Sequence, residues 1–208
     1  MRILSKSVII LGGGGHAGVL VEILRLAGSK ILGIADPSFN KGTFLYDDIP
    51  VLGSDESVQE YDPSKVFIVN GLGPSPKETS REELSKKFAT RGYEFLSVIH
   101  PSAYVSPTAT IKAGAQIMAG AVIQTGCRIG FCSVVNTGGI VDHDTNVGDY
   151  SHIAPGAVIC GGVKVGRGVF IGTGSVVIEN LTLGNNSLLA AGATLRKNLK
   201  KGELFYGN

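Results

Sequence analysis

The chain has 208 residues, 43% of them apolar and 17% charged, with a net charge of +2. This is the composition of a folded chain of one or two domains. It excludes the basic footprint of a nucleic-acid partner, and there is no run of about eighteen apolar residues to span a membrane. The three cysteines, Cys127, Cys132 and Cys160, are odd in number and lack metal-ligand spacing. They read as reduced structural thiols of a cytoplasmic protein, with no metal site.

In chain order, Ser7–Leu11 reads as a short buried strand. It runs into the turn Gly12-Gly13-Gly14-Gly15-His16-Ala17-Gly18, then into a helical pattern of Val19, Leu20, Ile23, Leu24, Leu26 and Ala27 that Gly28 stops. Ile31–Ala35 is a second strand and ends at Asp36-Pro37. A βαβ unit with a glycine turn at a helix N-terminus offers bare N–H groups and a helix dipole to a phosphate. An acid at the end of the second strand suits ribose hydroxyls. Gly13, Gly14, Gly15 and Asp36 are therefore nucleotide-site candidates, the plain alternative being a glycine turn with no ligand. The region up to residue 98 holds only half of a dinucleotide fold, so a nucleotide diphosphate on another carrier suits it better than NAD.

Val51–Gly53 is a candidate short strand, followed by a short helix from Ser54 to Tyr61. Lys65–Asn70 is a third main strand. The loop after it, Asn70-Gly71-Leu72-Gly73-Pro74, lies at the strand edge where open α/β sheets bind ligands, which makes Gly71 a substrate-binding candidate. Glu78–Arg91 is an amphipathic helix ended by Gly92, and Glu94–Ile99 is a last strand. His100-Pro101 reads as a junction.

From Ile99 to Leu195 every sixth residue is aliphatic, with no break in register. The residue two before it is mostly small, and the residue three after it, from Gly114 on, is mostly Gly, Asn or Asp; Cys132 and Tyr150 are exceptions. Helical and simple strand periods do not place one apolar residue every six. A fixed hexapeptide repeat indicates a parallel β-helix, with about eighteen residues per triangular coil and roughly five coils. The expected architecture is an α/β, Rossmann-like domain with a parallel sheet over residues 1–98, then a β-helix over 99–208.

Within the repeat, Asn136-Thr137-Gly138-Gly139-Ile140-Val141-Asp142-His143-Asp144 gathers an amide, two carboxylates and an imidazole. An imidazole beside a carboxylate suits a general base near neutral pH, so His143 and Asp144 are catalytic candidates. The alternative is a solvated turn. His152 is a second imidazole, just before the core residue Ile153, where a packed histidine is equally in keeping with the pattern.

The glycine turn, Asp36, His100-Pro101, Asn136-Thr137, Asp142-His143-Asp144, Ser151-His152 and Gly192-Ala193-Thr194-Leu195 together carry a resemblance. The chain resembles the sugar acetyltransferases of the left-handed β-helix superfamily, in the branch of bacillosamine-pathway N-acetyltransferases and NeuD-type sialic-acid O-acetyltransferases. The resemblance implies an acetyl-CoA-dependent N-acetyltransferase of bacterial surface-glycan biosynthesis. Its substrate would be a UDP- or GDP-linked amino sugar, held by Gly13, Gly14, Gly15 and Asp36, with Gly71 nearby. His143 would be the base and Asp144, where close relatives carry Glu, its partner. Asn136 would line the sugar site. His152 would contact the thioester, and Gly161, Thr173 and Ala191 would hold the coenzyme. It implies a homotrimer with active sites between neighbouring β-helices. Because half a coil separates His143 from His152, their sharing one reaction implies that each comes from a different subunit. Transfer would be direct, since no cysteine adjoins a histidine. The rival expectations are O-acetylation of a sialic-acid-like sugar and a non-catalytic sugar-binding β-helix.

Overall fold

In the structure, a computed structural model that describes residues 6–76 and 79–207, the apolar run Ser7–Leu11 becomes the central strand β1, with Val8 through Leu11 fully buried. It pairs in parallel with β2 (Ile31–Ala35) on one side and β5 (Val66–Asn70) on the other. With β3 (Phe44–Leu45), β4 (Ile49–Gly53) and β6 (Glu94–Phe95) the sheet order is β3-β4-β2-β1-β5-β6, parallel except for the β3–β4 hairpin. Helix α1 (Gly15–Leu26) links β1 to β2 and buries Leu20, Val21, Ile23 and Leu24. Helix α2 (Ser80–Thr90) links β5 to β6. The strand order reverses between β1 and β5, and a crevice opens at the carboxyl ends of strands at such a point.

Beyond end shifts of one or two residues in β4, β5 and the C-terminal end of α2, the elements differ from the sequence expectation at the short strand Phe44–Leu45 and in three further places. The stretch Ser54–Tyr61 forms a tight 3₁₀ turn over Asp55–Glu60. The second helix starts at Ser80; Glu78, the expected start, lies outside the described residues. Glu94–Ile99 is two strands, because Leu96 gives its N–H to Ile68 O and the chain then turns into Val98–Ile99, the first strand of the repeat region.

The chain divides into two compact units, Met1–Val98 and Ile99–Asn208. In the second, two-residue strands stack in parallel on three faces of seven, six and five strands, so five complete triangular coils are closed. Strand residues pair with those eighteen further on, as Val134 does with His152 and Ile140 with Val158, until the last coil, where Leu188 pairs with Leu204. From Ile117 on, the aliphatic of each repeat points inward, and Ile117, Ile123, Val135, Val141, Ile153, Ile159, Ile171 and Leu189 are wholly buried in one continuous core, while Ile99 at the start of the series is exposed. Each such side chain stabilises the fold by about 1.5–3 kcal/mol. The slot three residues on takes a left-handed backbone, as at Gly138, Asp144 and Asn180. Cys132 and Tyr150, the exceptions in the pattern, adopt it too, with φ of 52° and 58°. Among the described residues no helix is long and apolar enough to cross a membrane.

Candidate active site

The glycine turn of the first unit is tightly braced. Gly12 leaves β1 with φ of 90°, and its N–H bonds Ala35 O at 2.8 Å. Gly14 caps α1 in an extended conformation and, being a glycine, supplies no side-chain cap of its own. A side chain added at Gly14 or Gly15 would meet no atom within 4 Å, so this part of the turn faces open space. Asp36 holds the turn from below: one carboxylate oxygen accepts the Gly13 N–H at 2.7 Å, the other the Ser38 N–H at 2.8 Å. Beside it lies a cavity of about 600 Å³, between Ala35–Ser38 and the Ser80, Glu83, Leu84 and Lys87 face of α2. Gly71 sits where two backbones touch. Its N–H bonds Leu11 O at 2.7 Å, and a Cβ there would stand 2.6 Å from Gly12 O.

In the second unit, the turn from Asp142 to Thr145 joins the second face (through Ile140–Val141) to the third (through Asn146–Val147). His143 and Asp144 sit there, largely exposed, with Nδ1 of His143 3.0 Å from Oδ2 of Asp144. The shorter Asp side chain does reach the ring. Asp142 accepts the His143 N–H at 2.8 Å. The hydrogen bond to Asp144, with the charge of Asp142 added, raises the His143 pKa above the usual imidazole value. With Nδ1 facing a carboxylate, the lone pair is left on Nε2. That edge of the ring lies against Gly161, one coil above: a Cβ there would stand 2.5 Å from both Cε1 and Nε2. Asp144 lies over Gly126 in the same manner, one coil below.

Two thiols lie close by. Cys127 donates to the Asp142 carbonyl at 3.0 Å. Burial pushes the Cys127 and Cys160 thiols above their usual values, and neighbouring carboxylates push the same way. Neither is poised as a thiolate nucleophile.

His152 and Asn136 are on a different part of the coil. Both belong to the first face, where Asn136 Nδ2 approaches His152 Nε2 at 3.3 Å. The buried His152 ring packs edge-on against Phe170 at 4.9 Å between centroids. Thr173 and Ala191 stack on successive coils at the corner that follows this face, with Gly192 N–H bonding Thr173 O at 2.8 Å. The structure thus brings His143, Asp144 and Gly161 together at one corner, and Asn136 with His152 on one face. Ala191 also edges a cavity of about 630 Å³ lined by Arg196, Lys197, Phe205 and Tyr206. The two cations follow directly on Leu195, the last aliphatic of the repeat, a signal that the sequence reading passed over. It also passed over Tyr46, whose hairpin has no apolar alternation to mark it.

Comparison with known proteins bears on both units. The family profile described as PglD N-terminal domain matches residues 7–88. The profile described as bacterial transferase hexapeptide (six repeats) matches 144–179 and 162–197. Among solved structures, the chain is similar to perosamine N-acetyltransferase from Caulobacter crescentus. That structure is a variant with one histidine replaced by asparagine, in complex with CoA and GDP-perosamine. Identity is 31%, the TM-score is 0.88, and the match covers 98% of this chain and 95% of that one. It is also similar to the acetyltransferase domain of PglB from Neisseria gonorrhoeae in complex with acetyl coenzyme A, at 28% identity and a TM-score of 0.88, over 97% and 96% of the two chains. WeeI from Acinetobacter baumannii, at 21% identity and a TM-score of 0.85, shares the fold. No curated protein sequence matches.

Proposed function

The chain belongs to the left-handed β-helix, hexapeptide-repeat family of sugar N-acetyltransferases, and from that premise we propose that it moves the acetyl group of acetyl-CoA onto the amine of a nucleotide-linked amino sugar. The observation that carries this reading is the exposed His143–Asp144 pair, with Nε2 of the imidazole turned toward Gly161. The Caulobacter relative, with its GDP-perosamine complex, favours a GDP-linked amino sugar over a UDP-linked one.

His143 does the proton work. Its Nε2 takes a proton from the sugar amine as nitrogen attacks the thioester carbonyl, while Asp144 holds the ring and stabilises the imidazolium. The backbone at Gly161, beside Nε2, is suited to offer an N–H to the oxyanion. Collapse expels the coenzyme thiolate, which takes the proton back from His143. Transfer is direct. The raised pKa of Cys160 and Cys127 supports this, because a protonated thiol does not compete with the amine.

The coenzyme-facing residues are on another corner of the triangle. Arg196 and Lys197 suit its phosphates, and Thr173 and Ala191 offer backbone along the stacked corner. Our reading is a homotrimer in which His143 and Asp144 of one subunit meet His152, Thr173 and Ala191 of its neighbour. The separation of the two histidine-bearing elements within one chain supports it.

The test is a coenzyme A release screen over GDP- and UDP-linked 3- and 4-amino sugars, with free sialic acid alongside. Turnover on a nucleotide amino sugar supports the proposal. Turnover on sialic acid alone moves the activity to O-acetylation, and no turnover on any with acetyl-CoA bound sets the proposal aside.

A further inference from the structure

The glycine turn is gripped from a direction that the nucleotide-binding fingerprint does not include. Tyr46 stands in the three-residue loop between β3 and β4, and its ring lies across the first turn of α1. Its hydroxyl shares one proton between Gly13 O at 2.8 Å and Gly14 O at 2.7 Å, the latter also accepting the Ala17 N–H of α1 at 2.8 Å. The ring packs on Gly18, where a Cβ would stand 2.8 Å from Cε1 of Tyr46. The loop is itself tied to α1, since Arg25 donates to Tyr46 O at 2.7 Å and pairs with Asp48. Tyr46 and Asp47 both have left-handed backbones, with φ of 49° and 76°. A glycine or asparagine would occupy that conformation at less cost, so the tyrosine is there for its side chain.

The consequence is in the peptide planes. The bonds are trans, so a carbonyl and the N–H of the next residue point in opposite directions. Two successive carbonyls, of Gly13 and Gly14, turn toward one hydroxyl. The N–H groups of Gly14 and Gly15 are therefore turned away from it, on the exposed stretch where an added Cβ meets nothing. Two convergent N–H groups at a helix N-terminus form an anion cradle. Asp36 fixes the neighbouring Gly13 N–H from the other side and so keeps that donor out of the cradle. Burial raises the Tyr46 pKa, a backbone hydrogen bond at Gly18 opposes it and the charge of Asp36 adds to it, so the net shift is upward and the phenol stays a donor.

We propose that Tyr46 is a positioning residue for nucleotide binding: its hydroxyl holds the Gly13 and Gly14 carbonyls so that the Gly14 and Gly15 N–H groups face the diphosphate of the sugar nucleotide. This rests on the reading of the turn as the nucleotide site.

The experiment is calorimetric titration of the full-length protein with GDP, and separately with CoA, for wild type, Tyr46→Phe and Gly14→Ala. Tyr46→Phe keeps the ring and removes only the hydroxyl. It should weaken GDP binding about three- to tenfold, as loss of one hydrogen bond does, and leave CoA binding unchanged. Gly14→Ala puts a methyl into the open space before the turn and should weaken GDP at least as much. If Gly14→Ala weakens GDP binding and Tyr46→Phe does not, the clamp is wrong and the site stands. If neither variant changes GDP binding, the site reading falls and the clamp with it. A Tyr46→Phe protein that melts earlier but binds GDP normally at 25 °C assigns the hydroxyl to stability alone and overturns the proposal.

Discussion

The imidazole of His143 rests on the α-carbon of Gly161, one coil above it, so closely that even a methyl group there would stand 2.5 Å from Cε1 and Nε2. The backbone at Gly161 is not among the left-handed positions, so alanine is conformationally acceptable there. The ring, at the exposed end of its side chain, is what must give way. Gly161→Ala should therefore keep the fold and its melting temperature within a few degrees while kcat falls about a hundredfold, the cost of misplacing a reacting group by about 1 Å. Wild-type kcat in a folded Gly161→Ala protein would show that the ring position does not matter.

With His143 as the proposed base, Asp144 should set the pH response. A base must be neutral to act, and the Asp144 hydrogen bond followed by the Asp142 charge holds the His143 pKa above its usual value. The rising limb of kcat/KM should accordingly sit above the limb of an ordinary imidazole, at about 6.5. Asp144→Asn removes the larger cause, so its limb should move to lower pH, and its plateau should fall because the ring is less well held. Asp142→Asn should move the limb the same way by less. An upward shift in either variant contradicts the assignment.

Asp36 offers a test of the other substrate. Its two oxygens brace Gly13 and Ser38, so Asp36→Ala should loosen the turn. The KM for the nucleotide sugar should rise about tenfold or more, with that for acetyl-CoA nearly unchanged, in initial-rate measurements with each substrate varied in turn. Equal effects on both substrates would refute the role.

How much of this could be read in the chain follows from its chemistry. The six-residue repeat is a strict physical period, one inward side chain per short strand, so Val141, Ile153 and the rest of the core were legible, and with them the corner that carries His143. Strands β1 and β2 were legible because their apolar runs are bounded by Gly12 and Asp36. What stayed hidden depends on distant pairing. Phe44 in β3 is exposed and its strand only two residues long, so nothing in the pattern points to the hairpin or to Tyr46. The bonds of Asp36 to Gly13 and Ser38, which stand beside its expected ribose contact, depend on the direction of two peptide planes, which composition does not encode. The contact of Asn136 with His152 joins neighbouring coils, and spacing alone does not reveal which way either side chain turns.

Assembly can be tested by complementation. His143 and His152 belong to different elements of the coil, and the proposed site takes one from each of two subunits. Mixing inactive His143→Ala chains with inactive His152→Ala chains should restore part of the activity, through hybrid interfaces that pair two intact histidines, and light scattering should give a trimer mass. No recovery after mass spectrometry has verified subunit exchange, or a monomer mass, contradicts the shared site.

The most direct test of the central claim is the turnover of His143→Ala, followed as coenzyme A release with acetyl-CoA and a GDP-linked 4-amino sugar at saturation. Loss of the general base should lower kcat by about 10²–10⁴, with the KM for each substrate within a few-fold of wild type and the fold intact. A His143→Ala protein that releases coenzyme A at close to the wild-type rate would contradict the account.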